Sequence, residues 1–453
     1  MGAKNMMEGS LPRNFLGYAV PLIFASLLSQ AYGAVDAMIA GRFISDSALG
    51  AIGATASFFT MVNTAFSGFA VGFAVYNARL LGQGEFARIK RDTVTIFVFL
   101  GVMGALMGIL CFALRAPLFT ALRVDPLLWK EAEIYFAVIV LGYPLLSLNF
   151  AFVQILYGLG VTGFSLIATA LSAVLNVGGN LVAVLGLGMG VEGLALASLL
   201  STCAVLVLYA VKLRRVFRSM PTAGERFSLH PACILASLRY SLPTCLQQMT
   251  MYLSGLLVAP QINALGAAAT TGYSVAMRFY DLTAQSYQNS SKPLAVYTAQ
   301  CIGAGREHQI FRGLLWGLCQ GVLLMSPFVL VCAVFADPLS ALFFRQGFEG
   351  ESMALAVRFA RFFLPFLFIN MINNLFHAFL RGMGAMKLLL LSTAVGSVAQ
   401  IVATKLLAPS LGMEGVYFGL LIAWGTEAVF VLFLFLLRYR TPSLIAKRAR
   451  ESK

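Results

Sequence analysis

The sequence predicts an all-α membrane protein of about twelve transmembrane helices, arranged as two homologous six-helix bundles related by a pseudo-two-fold axis along the membrane normal. Three observations lead there: the scarcity of charge, the rhythm of the apolar runs, and landmark residues that recur half a chain apart. Of 453 residues only 11% are charged and 59% are hydrophobic, with a mean hydropathy of +0.85. Soluble globular chains carry about a quarter charged residues, so a soluble multidomain enzyme is excluded.

A helix needs about 20 apolar residues to cross the hydrocarbon core. Apolar runs between breaks rich in charge, Gly or Pro fall at roughly 15–40, 50–78, 93–114, 132–156, 164–185, 191–211, 240–262, 270–300, 313–335, 354–380, 388–407 and 414–437. The first run is too long for a signal peptide and is expected to stay as the first span. With the N-terminus inside, 22 Lys and Arg face the cytoplasm and 8 lie outside, while Arg278 and Lys292 remain within the eighth span. That bias predicts a multi-pass plasma (inner) membrane protein with both termini cytoplasmic. The net charge of +14 therefore reports topology and not a nucleic-acid partner. The basic tail from Arg438 is expected to lie against anionic lipid heads.

The 7 Cys stand singly, without CxxC spacing, and the 3 His lack metal-ligand spacing. Neither a disulfide framework nor a metal centre is expected, and the His residues read as loop or packing groups. Gly82-Gln83-Gly84 and Gly303-Ala304-Gly305 follow helices and lack the GxxxxGK[ST] pattern, which makes them helix C-caps and not phosphate loops.

Landmarks repeat at an offset of about 222. Pro21 matches Pro243, Gly82–Gly84 matches Gly303–Gly305, Pro144 and Asn149 match Pro365 and Asn370, and Glu192-Gly193 matches Glu414-Gly415. The reading is an N-lobe over 1–218, a basic linker over 219–239 and a C-lobe over 240–453. Six spans per half is an even number, so the halves are parallel repeats about an axis along the membrane normal. Two such halves facing one another enclose a central cleft, which is a transporter architecture. A rigid scaffold is the bland alternative, and a membrane-embedded transferase would need clustered acids such as DDxxD, which are absent.

An ionised side chain in the bilayer costs at least about 2.5 to 3.5 kcal/mol on insertion scales. Three carboxylates fall within the spans: Asp36, Asp281 and Glu427. Asn176 and Asn180, four residues apart, share one face of the fifth span, and Ser198 offers a hydroxyl in the sixth. At the repeat offset Asp36 faces Val258, and the other three face Val398, Val402 and Leu420, all apolar. One carboxylate with amide and hydroxyl oxygens suits a proton or a small hard cation such as Na+. The eighth span carries Arg278, Asp281, Gln285, Gln288, Asn289 and Lys292 and is expected to line the cleft. Arg278 and Asp281 are read as an ion pair, and Lys292 is expected to pair with Glu427.

These residues resemble the multidrug and toxic compound extrusion (MATE) family. The resemblance rests on Val35-Asp36 and Gly41 in a Pro-led first span, Ala48-Leu49-Gly50-Ala51-Ile52-Gly53, Gly82 to Gly84, Met277-Arg278-Phe279-Tyr280-Asp281, and Ala299 through Gly305. It implies a secondary antiporter that expels organic, often cationic, compounds in exchange for Na+ or H+, with no cofactor and as a monomer. It also implies that Asp36, Asn176, Asn180 and Ser198 form the N-lobe cation or proton site, with Asn149 beside it. Asp281, Arg278, Lys292, Gln288 and Glu427 would line the cleft or bind substrate. Many family members have Asp where this chain has Asn180, which leaves the coupling ion open. The alternative within the same superfamily is a lipid-linked oligosaccharide flippase, favoured by Lys292 and Arg278 and disfavoured by twelve spans in place of fourteen.

Overall fold

The structure, a computed structural model, describes residues 4–121, 124–221, 229–344 and 350–439. The expected basic tail beyond 439 and the middle of the linker, 222–228, lie outside the described residues. Every regular element among the described residues is helical.

In the first half, α1 (Leu11–Ile39) runs into a π-helical turn, Ala40–Ile44, and α2 (Asp46–Gln83) follows. Ser45 caps α2 by accepting the Ala48 N–H at 3.0 Å. Gly84 closes it at φ +76°, a left-handed position open to glycine without strain, as the C-cap reading required. Then come α3 (Phe86–Ala113), short α4 (Arg115–Ala121), α5 (Trp129–Leu141) and α6 (Tyr143–Gly158). The last two are one span bent by 49°. Pro144 sits at the restart, where its missing N–H breaks the ladder. The half ends with α7 (Gly163–Leu181), a second π turn (Val182–Gly186) and α8 (Val191–Arg218).

The second half contains α9 (Ala232–Asn263), α10 (Ala267–Gly303), α11 (Ile310–Val334), short α12 (Ala336–Ala341), α13 (Glu351–Arg358), α14 (Leu367–Met383), α15 (Met386–Leu411) and α16 (Met413–Tyr439). Its tenth span is interrupted, by π and 3-10 turns around Pro365, at the place matching the α5/α6 break. Short α12 likewise repeats α4. The duplication thus extends to irregularities of the backbone. Among the described residues nine helices are long and apolar enough to cross a membrane, and the α5/α6 pair makes a tenth. The remaining two of the expected twelve are α9 and α10, long enough but interspersed with Gln, Ser and Thr.

By packing, the chain divides into two compact units, Met1–Cys245 with Val296–Ile310, and Leu246–Ala295 with Phe311–Lys453. The division falls inside α9 and α10. The first turns of α9 and the last turns of α10 therefore belong to the first unit, where they lie against α2 with no room for side chains. A Cβ on Gly68 would meet the backbone of Cys245, one on Gly72 the backbone of Ser241, one on Gly82 the carbonyl of Gln300, and one on Gly303 the carbonyl of Arg79. The chain ahead of α1 is threaded into the same region. Lys4 N–H donates to the Leu159 carbonyl (2.9 Å), Met6 N–H donates to Gln300 Oε1 (2.7 Å), and the Met6 side chain is buried.

Asp92 of α3 is also fully buried here, although it falls just outside the third apolar run. It accepts from Tyr76 Oη at 2.7 Å and Arg91 Nε at 3.3 Å, with Arg88 Nε at 3.5 Å. Two arginines and a phenol offset the cost of desolvating its charge.

Candidate functional site

The first unit assembles the predicted carboxylate–amide group. α1 packs against α7 and α7 against α8, which brings together side chains from three helices. Asn180 Nδ2 donates to Asp36 Oδ1 at 2.6 Å and lies 3.3 Å from Asn176 Oδ1. Asn176 Nδ2 in turn donates to Ser198 Oγ at 2.9 Å. The helical spacing of four residues stacks the two amides, so the polar chain runs in one line from Ser198 to Asp36. Asn176 is 2% exposed and Asn180 is fully buried, while Asp36 is half-buried. A short bond of this kind to an ionised acceptor is among the stronger hydrogen bonds a protein makes.

Two of the three helices that supply the group become π-helical just beyond it, α1 at Ala40 and α7 at Val182. Ile39, Ala40, Val184 and Leu194 form a small apolar cluster at those turns. A π turn loosens the regular hydrogen-bond ladder and recurs at functional sites. Asn149 lies on α6 and is partly buried, and no hydrogen bond joins it to Asp36: its Oδ1 is buried and has no partner in the structure. Tyr135 of α5, not singled out in the sequence, lies within electrostatic range of Asp36. Asn180→Ala removes the donor to Asp36 and is expected to cost about 1–3 kcal/mol. Thermal unfolding in detergent checks this, and an unchanged midpoint would show that the bond contributes nothing.

The second unit departs from expectation in two places. Arg278 and Asp281 are both exposed and are not within 4.0 Å of each other, so the expected ion pair is absent. They stand one helical turn apart on an exposed stretch, where the gain of a close solvated pair is small, and Arg278 acts on Asp281 at longer range. Glu427 faces His377 and not Lys292. His377 Nε2 lies 3.0 Å from Glu427 Oε1, whereas Lys292 Nζ donates to Asn289 Oδ1 at 2.7 Å. His377, read as a loop or packing residue, is buried on α14. Its counterpart on α16, Glu427, is buried too and does not line an open surface, whereas Gln288 is exposed. No sequence spacing could have linked positions on different helices. Arg381, four residues after His377, donates to Gln247 Oε1 at 3.2 Å.

The fold and this site together define a multi-pass helical membrane protein built from two duplicated halves, with an ionisable group of different kind in each. The family model MatE matches residues 21–182 and 243–405, one stretch per half, beginning at the two landmark prolines. The chain belongs to the MatE family. It is 23% identical over 362 residues to the probable multidrug resistance protein YoeA of Bacillus subtilis, covering 77% of this chain and 76% of that one. Among solved structures it is similar to an outward-facing multidrug resistance MATE family transporter of the MOP superfamily (TM-score 0.89, 20% identity, 99% and 100% of the two chains). It is also similar to a MOP superfamily transporter from Pyrococcus furiosus described as having a binding pocket of reverse polarity (TM-score 0.86, 20% identity, 97% and 98%).

Proposed function

We propose that this protein is a secondary multidrug efflux antiporter of the plasma (inner) membrane. It exports organic, cationic compounds in exchange for H+ or Na+ by alternating access of its two halves, as a monomer and without a cofactor. The observation that carries the reading is Asp36 on a membrane-spanning helix, bonded to Asn180 and half open. Binding a proton or Na+ at Asp36 neutralises its charge and weakens its hold on the Asn180 amide. α1 is thereby free to shift against α7 at the π turns. A gradient supplies the drive: one elementary charge crossing 100 mV is worth about 2.3 kcal/mol. Transport of ethidium into inside-out vesicles under an imposed H+ or Na+ gradient tests the reading. Uptake driven by neither gradient would refute it.

One observation favours a second reading, an anionic or lipid-linked oligosaccharide substrate. Lys292 and Arg381 place two cations in the second unit, close enough to act on one another. Vesicles that take up an anionic lipid analogue and exclude ethidium would establish it.

A further inference from the structure

We propose that Glu427 and His377 form a second proton-binding site, in the second unit, which adds one proton to each transport cycle. This goes beyond the role given to Asp36 and rests on different residues.

The duplication supplies the first argument. At the offset set by Pro144 and Pro365, His377 corresponds to Leu156, and at the offset set by Glu192 and Glu414, Glu427 corresponds to Val205. Leu156 and Val205 are buried core residues. The same scaffold is therefore stable with apolar groups at both places, and no demand of packing explains an acid and an imidazole there. Burying polar groups costs free energy unless they are well paired. In membrane helices such acids and imidazoles mark ion and proton paths.

Geometry supplies the second argument. His377 and Glu427 are 3% and 6% exposed, with Nε2 and Oε1 3.0 Å apart. The two atoms are close enough for a proton on either to pass to the other. Ser392 Oγ of α15 lies 3.3 Å from the same ring nitrogen, and Gln247 Nε2 of α9 lies 3.5 Å from Nδ1. Gly396 of α15 leaves only a narrow gap beside Glu427, where a Cβ would lie 3.1 Å from the carboxylate.

Charge sets the proton count. Arg381 of α14 donates to Gln247, whose Nε2 approaches the His377 ring, and acts electrostatically on Lys292 of α10, while Tyr280 of α10 acts electrostatically on Glu427. A buried imidazolium is costly once the carboxylate beside it no longer carries a charge. One proton, shared between Oε1 and Nε2, brings the pair from a net charge of −1 to zero. A second is opposed.

The experiment uses the full chain in liposomes, with ethidium as the transported cation, membrane potential collapsed and an imposed difference of about one pH unit. At zero net flux, two protons per cation sustain a concentration ratio of about 100 and one proton a ratio of about 10, since each proton contributes one factor of the pH difference. The unaltered protein is expected near 100 and Glu427→Gln near 10. A residue that merely stabilises the helices changes the rate of approach and not this final ratio. A ratio near 10 in the unaltered protein, or an unchanged ratio in Glu427→Gln, overturns the proposal and leaves Asp36 untouched. Efflux that persists in Asp36→Asn overturns the Asp36 reading instead. Direct proton titration of the purified protein decides the matter without any substrate. Over the pH range that drives transport, Glu427→Gln is expected to bind one proton fewer than the parent. Should that variant fail to insert, His377→Gln must shift the step, and a curve that overlays the parent overturns the site.

Discussion

Asp36→Asn is expected to reduce gradient-driven efflux to the level of vesicles without the protein, while the variant still inserts and purifies as a folded species. The amide has nearly the shape of the carboxylate, and its oxygen can accept the Asn180 N–H as Asp36 Oδ1 does at 2.6 Å. Packing of α1 on α7 is preserved. What is lost is the charge, and with it the only difference between ion-loaded and ion-free states at this place. A ligand or ion shifts a conformational equilibrium only by its differential affinity for the two states. A permanently neutral side chain has none. Drug resistance in cells expressing Asp36→Asn at parental levels would show that this carboxylate is not the coupling group.

Gly72→Val is the second large effect. In the structure α2 meets the first turns of α9 with Gly72 against the backbone of Ser241. Helices approach this closely in membranes where small residues face one another. A valine cannot be absorbed by a rotamer change, because the obstructing atoms are main chain, and overpacking of this kind costs about 1–3 kcal/mol. The helices are expected to stand apart at the end bearing Arg79 and Arg239. In a cysteine-free background, Ser241→Cys should react slowly with a maleimide, and Gly72→Val should raise its labelling several-fold while transport falls. Equal labelling with and without the valine would show that the close approach is not obligatory.

The helical class, the spans and the duplication were legible because the bilayer imposes length and apolarity on every spanning segment, and because the repeat preserved prolines and glycines that bend or end helices. The Asp36 group was legible for a local reason: Asn176 and Asn180 are one helical turn apart, so sequence spacing alone puts them on one face. His377 with Glu427 was not, since only the packing of α14 against α16 brings them together. Asp92 was missed because it stands at the edge of an apolar run among Arg88, Lys90 and Arg91, where an acid reads as loop. The offset of 222 also fails locally. It pairs buried Asn176 and Asn180 with Val398 and Val402, which are 59% and 50% exposed. The left-handed glycines that flank the fifth span, Gly160 and Gly188, stand 224 residues before Gly384 and Gly412, so the register slips by two there and Asn180 corresponds to the buried Thr404.

The interruptions at Pro144 and Pro365 recur although the ionisable groups do not. A proline-marked break in the α-helical ladder stands in both halves, whereas the acid at Glu427 has the apolar Val205 as its mate. A chain stitched from two copies of residues 1–218 would be expected to kink in the same two places and still lack any acid at the position of Glu427. Such a symmetrised molecule would separate what the skeleton does by itself from what its charges add.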